Sequence, residues 1–279
     1  MEKTKLQPYS VLMSVYAGDE EGFLRECLDS LMQQTVPADE IVLVCDGPLN
    51  EELDKAISDY QQKLGGMFKV HRLAENMGTA YAANYGLERC ENELIMKMDP
   101  DDICLPERAE LQLTFLAEHP GIDMVGGYIE EFKSSTKEHI AIRKTPASDI
   151  EIRRFAKRRT PFNNQTMIYK KSLAMQIGGY SNDLRRCEDY DFMVRMLIHG
   201  AKGANLPQIL VRYRVNYANL ARRRNLKNTK SFIAVRKKIH RLGYSSFWDY
   251  LVPCVGQVML FITPGVFTGY LYKTVLRKK

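Results

Sequence analysis

Short, mainly apolar runs alternate along the first half of the chain with segments whose apolar residues fall at helical spacing. Ser10 to Val15 and Glu40 to Cys45 read as buried strands; between them, Glu21 to Gln34 places Phe23, Leu24, Cys27, Leu28, Leu31 and Met32 on a helical stripe that ends before Pro37. Leu53, Ala56, Ile57, Tyr60 and Leu64 mark a second helix. Phe68 to Arg72 reads as a third strand, Thr79 to Cys90 as a third helix and Glu93 to Met98 as a fourth strand. Strands separated by helices of this length predict right-handed crossovers and a mostly parallel sheet flanked by helices. Ligands of such sheets bind outside the carboxyl ends of the strands.

The second half is less regular. A helix is predicted from Pro106 to His119, a strand from Met124 to Phe132, a helix around Ile150 to Arg158 and a strand at Thr166 to Tyr169. Gly178-Gly179-Tyr180 signals a turn, and Glu188 to His199 is helical with Phe192, Met196 and Leu197 on its apolar side. A chain of 279 residues with 45% apolar content can bury one large core. The expected organisation is a main domain over 1–220 and a helical appendage over 221–279.

Charge sharpens that division. From Arg222 to Lys279 there are thirteen Lys or Arg and one acid, Asp249, so the tail carries +12 of a total of +6 and leaves −6 for the rest. A mildly acidic body and a strongly basic tail suit different partners, an anionic surface being the natural one for the tail. The six cysteines, Cys27, Cys45, Cys90, Cys104, Cys187 and Cys254, lack any CxxC pair and mostly lie inside apolar patterns, as reduced thiols do. Met1 to Pro8 has no apolar core of a secretion signal.

Polar residues collect where the first four strands end: Ser14 and Tyr16, Asp46-Gly47, Asn76 and Gly78, and Asp99-Pro100-Asp101-Asp102. No GxGxxG or P-loop sequence accompanies them. Three carboxylates within the last of these turns suit a hard divalent cation, which takes one or two carboxylates and fills its shell with water and substrate phosphates. The plain alternatives are a helix cap for Asp101 or Asp102 and an ordinary turn for Asp46-Gly47 and Asn76-Met77-Gly78. Glu188-Asp189-Tyr190-Asp191 opens a helix, where acids are also favoured by the dipole.

Taken together, Ser10-Val11-Leu12-Met13-Ser14-Val15-Tyr16, Gln33-Gln34-Thr35, Ile41-Val42-Leu43-Val44-Cys45-Asp46-Gly47, Asn76-Met77-Gly78, Met98-Asp99-Pro100-Asp101-Asp102 and Leu105-Pro106-Glu107-Arg108 occur in the order and spacing of family 2 glycosyltransferases. The chain resembles that family over about residues 8 to 215, most closely the enzymes that build bacterial capsular, O-antigen or exopolysaccharide repeat units. The resemblance implies an α/β GT-A nucleotide-diphospho-sugar transferase fold, with 1–105 as the nucleotide-sugar-binding half and 106–220 as the acceptor-binding half. It implies that Ser14, Val15, Tyr16, Asp46, Asn76, Gly78, Asp99 and Asp101 bind the nucleotide-sugar, Asp46 accepting from the uracil N3-H. Asp101 would ligate Mn²⁺ or Mg²⁺ bridging the diphosphate, and Asp189 would be the catalytic base, with Glu188 and Asp102 near the acceptor or in support.

The function so implied is metal-dependent, inverting transfer of a hexose or N-acetylhexosamine from a UDP-sugar to a polyprenyl-linked or oligosaccharide acceptor, on the cytoplasmic face of a membrane. Two departures narrow it. The histidine that many relatives carry in the segment matching Pro161 to Thr166 is absent, and so is the QxxRW signature of processive synthases, which favours addition of a single sugar.

In the tail, Tyr250 to Tyr272 is uncharged and long enough to span a bilayer, but Pro253 and Pro264-Gly265 are expected to interrupt it. Two helices in the membrane plane are the preferred reading, the second starting at Thr263 with Lys273, Arg277, Lys278 and Lys279 against anionic headgroups. The alternatives are packing of this segment as ordinary core, and, for the whole protein, a membrane-bound scaffold or polyanion-binding protein without transferase activity. Nucleic acid is not an expected partner, because the uncharged run puts little positive charge near a phosphate backbone.

Overall fold

The computed structural model describes residues 6–184, 186–215 and 226–262, and the chain divides into two compact units, Met1–Val215 and Asn216–Lys279. In the first unit, β1 (Tyr9–Val15), α1 (Glu21–Met32), β2 (Glu40–Cys45), α2 (Glu51–Leu64), β3 (Phe68–Arg72), α3 (Thr79–Arg89) and β4 (Leu94–Lys97) succeed one another as the periodicity predicts. These strands lie in the order β3-β2-β1-β4, all parallel. Val11, Met13, Ile41 and Leu43 pack with Leu24, Leu28, Ile57 and Tyr60 of α1 and α2, each aliphatic chain contributing about 1.5–3 kcal/mol when fully buried. On the other face α3 lies so close that a methyl on Gly86 would come within 2.5 Å of Leu12 Cδ1 and 2.9 Å of Val44 Cγ2. Glycine lets the helix settle there.

The second half comprises β5 (Ile103–Cys104), α4 (Arg108–Glu118), β6 (Met124–Lys133), β7 (His139–Arg143), α5 (Asp149–Ala156), β8 (Ile168–Lys170), α6 (Lys171–Gln176), α7 (Glu188–Ile198) and β9 (Gly203–Val215). It continues the same sheet, β4-β8-β6-β9-β5, with β7 beside β6. Here the expectation of a mostly parallel sheet gives way to a mixed one. β8 runs antiparallel to both β4 and β6, β7 to β6 and β5 to β9, while β6 and β9 are parallel. The β6–β7 connection is a short hairpin, which can only join antiparallel strands. β9 was missing from the sequence reading because Pro207 breaks its pattern; Pro207 and Gln208 stand out of register between the Leu206 and Ile209 pairs, so the ladder needs no amide from the proline.

The second unit is a hairpin of α8 (Leu226–Arg241) and α9 (Phe247–Ile262). His240 stacks on Tyr250 with centroids 5.5 Å apart, and Val235, Ile239 and Cys254 are buried. The expectation that Pro253 breaks the apolar run is corrected, since α9 continues through it. The ring removes one amide donor and crowds the Asp249 carbonyl, but the rest of the ladder carries the helix across. The helix expected from Thr263 and the cationic positions from Lys273 to Lys279 lie outside the described residues. No helix among the described residues is long and apolar enough to cross a membrane. All six cysteines are free, five of them buried.

Candidate active site

The site forms at the carboxyl ends of the parallel strands. After β1, the Tyr16 amide donates to Asp19 Oδ2 at 2.9 Å and the Asp19 amide returns to the Tyr16 carbonyl, a tight loop that leaves Tyr16 exposed. The Asp46 amide, just past β2, donates to the Val15 carbonyl at 2.8 Å and so joins the two strand ends. Its carboxylate turns to the loop before α3, accepting from the Met77 amide at 2.7 Å and the Gly78 amide at 3.0 Å, while Asn76 Nδ2 donates to the Asp46 carbonyl at 3.1 Å. Asp46 thus shapes the wall that carries Asn76 and Gly78.

The acidic turn follows β4. Lys97 Nζ, itself buried, donates to Asp99 Oδ1 at 3.0 Å and to the Met98 carbonyl. Asp102 is fully buried: its Oδ1 accepts from the Arg214 amide at 2.9 Å, and its Oδ2 has no hydrogen-bond partner among the described residues. This carboxylate anchors the turn to β9. Arg214 adds a second tie, Nε to the Asp101 carbonyl at 2.8 Å, with Nη2 on Glu26 at 2.7 Å. Beneath the turn Arg108, also fully buried, donates Nη2 to the Lys97 carbonyl at 2.9 Å and Nε to Gln112 at 3.1 Å.

Across the cleft, Cys187 takes a left-handed conformation (φ 63°) and starts α7 so that Glu188 and Asp189 stand at its open end. Asp189 Oδ1 accepts from the Tyr190 amide at 2.8 Å, and Tyr190 Oη donates to the Ala156 carbonyl at 2.6 Å. Asp191 is not part of the rim; it pairs with Arg195 at 2.7 Å inside the fold.

The two acidic groups act on each other electrostatically. Burial, then the charge of Asp99, pushes Asp101 up to about 6 against Arg214 and Lys97. Burial, with Asp101 and Asp99 added, pushes Asp19 up to about 7. Burial, Asp189 and Asp99 push Glu188 up to about 7, and burial with a contribution from Asp99 raises Asp189. Asp99 therefore acts on carboxylates of both groups. An arrangement of mutually repelling, half-buried acids suits a cation. Among the described residues no three His, Cys, Asp or Glu side chains form a cage of their own.

Residues 10–178 match the sequence model of glycosyl transferase family 2. The chain belongs to that family. This family 2 glycosyltransferase is 38% identical over 265 residues to the amylovoran biosynthesis glycosyltransferase AmsE of Erwinia amylovora, an alignment covering 95% of this chain and 98% of that one. It is 32% identical over 270 residues to the UDP-Gal:alpha-D-GlcNAc-diphosphoundecaprenol beta-1,3-galactosyltransferase of Escherichia coli, covering 97% of each. Its fold, GT-A, is shared by the mannosyltransferase PcManGT of Pyrobaculum calidifontis, solved with GDP-Man and Mn²⁺, with a TM-score of 0.66 and 14% identity over 98% of this chain and 81% of that one.

Several site residues escaped the sequence reading. Asp19 sits in a loop with no pattern of its own, and Lys97, Arg214 and Glu26 act through partners distant along the chain. The Pro161–Thr166 segment is tied to β6: Asn163 Nδ2 donates to the Gly127 carbonyl at 2.8 Å, and Thr166 Oγ1 accepts from the Gly127 amide at 3.1 Å.

Proposed function

We propose that this family 2 glycosyltransferase transfers a hexose or N-acetylhexosamine, with inversion, from a UDP-sugar to a lipid-linked or oligosaccharide acceptor in the synthesis of a bacterial surface polysaccharide. The observation that carries the reading is that Asp99, in the turn after β4, acts electrostatically on Asp101 beside it and on Glu188 and Asp189 at the start of α7, which supports one shared site at the strand ends. The galactosyltransferase relative, whose name specifies a UDP-sugar donor and a diphosphoundecaprenol-linked acceptor, supports the substrate classes.

Ser14, Val15, Tyr16, Asp46, Asn76, Gly78 and Asp99 line the donor side. Asp46 already holds two backbone amides and retains lone pairs for a nucleobase N-H. Asp189 accepts the proton of the acceptor hydroxyl as that oxygen bonds to the anomeric carbon and the bond to the diphosphate breaks on the opposite face. Burial raises its proton affinity above that of an ordinary aspartate, as suits a group that must take a proton. Asp101 is the residue to hold Mn²⁺ or Mg²⁺, which when bound neutralises charge on the departing diphosphate. Glu188 supports Asp189, and Asp102 keeps the turn in place.

The second unit is the part we assign to the membrane, as a peripheral foot on the inner face of the cytoplasmic membrane. Trp248, Val252, Val255 and Met259 are all exposed on one side of α9, and Lys230, Lys237 and Arg241 are exposed on α8. UDP release that requires an acceptor and stops on chelation tests the transfer; co-sedimentation with anionic vesicles, lost in Trp248→Glu, tests the foot.

A further inference from the structure

A basic run at the end of α5 has no role in the donor chemistry. Arg154, Lys157, Arg158 and Arg159 are all exposed. The helix dipole accounts for Arg153 and Arg154 in the last turn; Lys157, Arg158 and Arg159 lie beyond it. The amides of Arg158 and Arg159 both return to the Phe155 carbonyl, at 3.0 and 2.9 Å, so the chain folds back and keeps the run at the helix end.

That end is fixed against the site. Arg153 donates to the Leu197 and Ala201 carbonyls at 2.8 and 2.6 Å, tying the body of α5 to the far end of α7. Tyr190 Oη holds the Ala156 carbonyl at the near end. Asp189 precedes Tyr190, and Lys157 follows Ala156, so the cationic run and the base flank one hydrogen bond. The cleft itself is acidic, and an anionic group on an acceptor is repelled from it. A cationic rim beside the base is where such a group finds its counter-charge.

We infer that Lys157, Arg158 and Arg159, with Arg154, bind the diphosphate of a lipid-linked acceptor and so present its sugar hydroxyl to Asp189. This inference rests on the transferase reading above and names the acceptor class for the same site.

The test compares N-acetylglucosamine carried on an alkyl diphosphate with the same sugar as a neutral alkyl glycoside. Calorimetric binding of both probes, which needs no turnover, is read first, and KM and kcat of transfer second. In the Lys157→Ala/Arg158→Ala/Arg159→Ala variant, binding of the diphosphate probe weakens and its KM rises about tenfold, the size expected for losing several charge-assisted contacts. The neutral glycoside and UDP bind as before, which also reports that the variant is folded. Lys157→Gln and Arg159→Lys, milder changes, shift the same constant less and in the same order. Equal losses on both probes, or no loss on the diphosphate, overturn the inference. Loss of anionic-vesicle binding with the diphosphate constant unchanged assigns the run to lipid headgroups and overturns it as well. Diphosphate binding that depends on the run in a protein that transfers nothing leaves the rim standing and refutes the transferase reading alone.

Discussion

Asn84 on α3 and Tyr180 in the segment leading to α7 grip each other twice: Asn84 Nδ2 donates to the Tyr180 carbonyl at 2.8 Å, and Asn84 Oδ1 accepts from the Tyr180 amide at 2.7 Å. Gly179, at φ 66°, has no side chain, and the Asn84 amide fills the space a Cβ would need. Arg195 fixes the same segment through the Ile177 and Gly179 carbonyls at 2.7 and 2.6 Å. The helix that begins just after Gly78 is thereby joined to the segment before α7, the helix that carries Asp189.

Asn84→Ala is expected to lower turnover by about ten- to a hundredfold, through misplacement of the base. Asn84→Asp retains the acceptor but loses the donor, and falls between the two. UDP affinity stays within about twofold in both by calorimetry, since the donor wall is untouched. A loss of UDP binding equal to the loss of turnover refutes the coupling.

Asp189→Asn keeps the hydrogen bond from the Tyr190 amide and removes the base, so kcat is expected to fall about 10²–10⁴-fold with nucleotide affinity unchanged. Asp101→Asn produces the opposite split: Mn²⁺ no longer tightens UDP binding. Steady-state kinetics and titrations with and without Mn²⁺ separate the two roles.

The raised carboxylates give a pH dependence with a definite sign. Asp19 and Glu188 at about 7 and Asp101 at about 6 bind protons more tightly folded than unfolded. Their stabilising contribution is full below the unfolded value near 4 and is lost as pH rises through 6 to 7. Thermal melting of the ligand-free protein should therefore decline from pH 5 to pH 7.5 on their account. Mn²⁺ with UDP, which favours the ionised acids, should raise the melting temperature more at pH 7.5 than at pH 5.5. The reverse order would contradict the assignment of a cation to this cleft.

Arg108→Met removes the group beneath the acidic turn and strands the Lys97 carbonyl and Gln112 Oε1 in the core. A loss of about 3 kcal/mol is expected from denaturant unfolding, the cost of buried polar groups left without partners. Arg108→Lys does not restore it, because an ammonium cannot span the same partners.

The sequence by itself determined β1 to β4 with α1 to α3 and placed acids at the strand ends. Apolar period and turn residues are local signals, and those crossovers are short enough for local signals to fix them. It also marked Asp99, Asp101 and Asp189 through the family pattern. Only tertiary structure decided that Asp102 turns inward to the Arg214 amide, that Arg108 lies under the turn, and that β8 runs antiparallel between β4 and β6. Periodicity reports which side of an element is apolar and never which distant element meets it. Asp102 and Arg214 are 112 residues apart in the chain and Asn84 and Tyr180 are 96, and partners at such separations are chosen by the packing of the whole sheet, which gives a buried donor or acceptor no alternative in water.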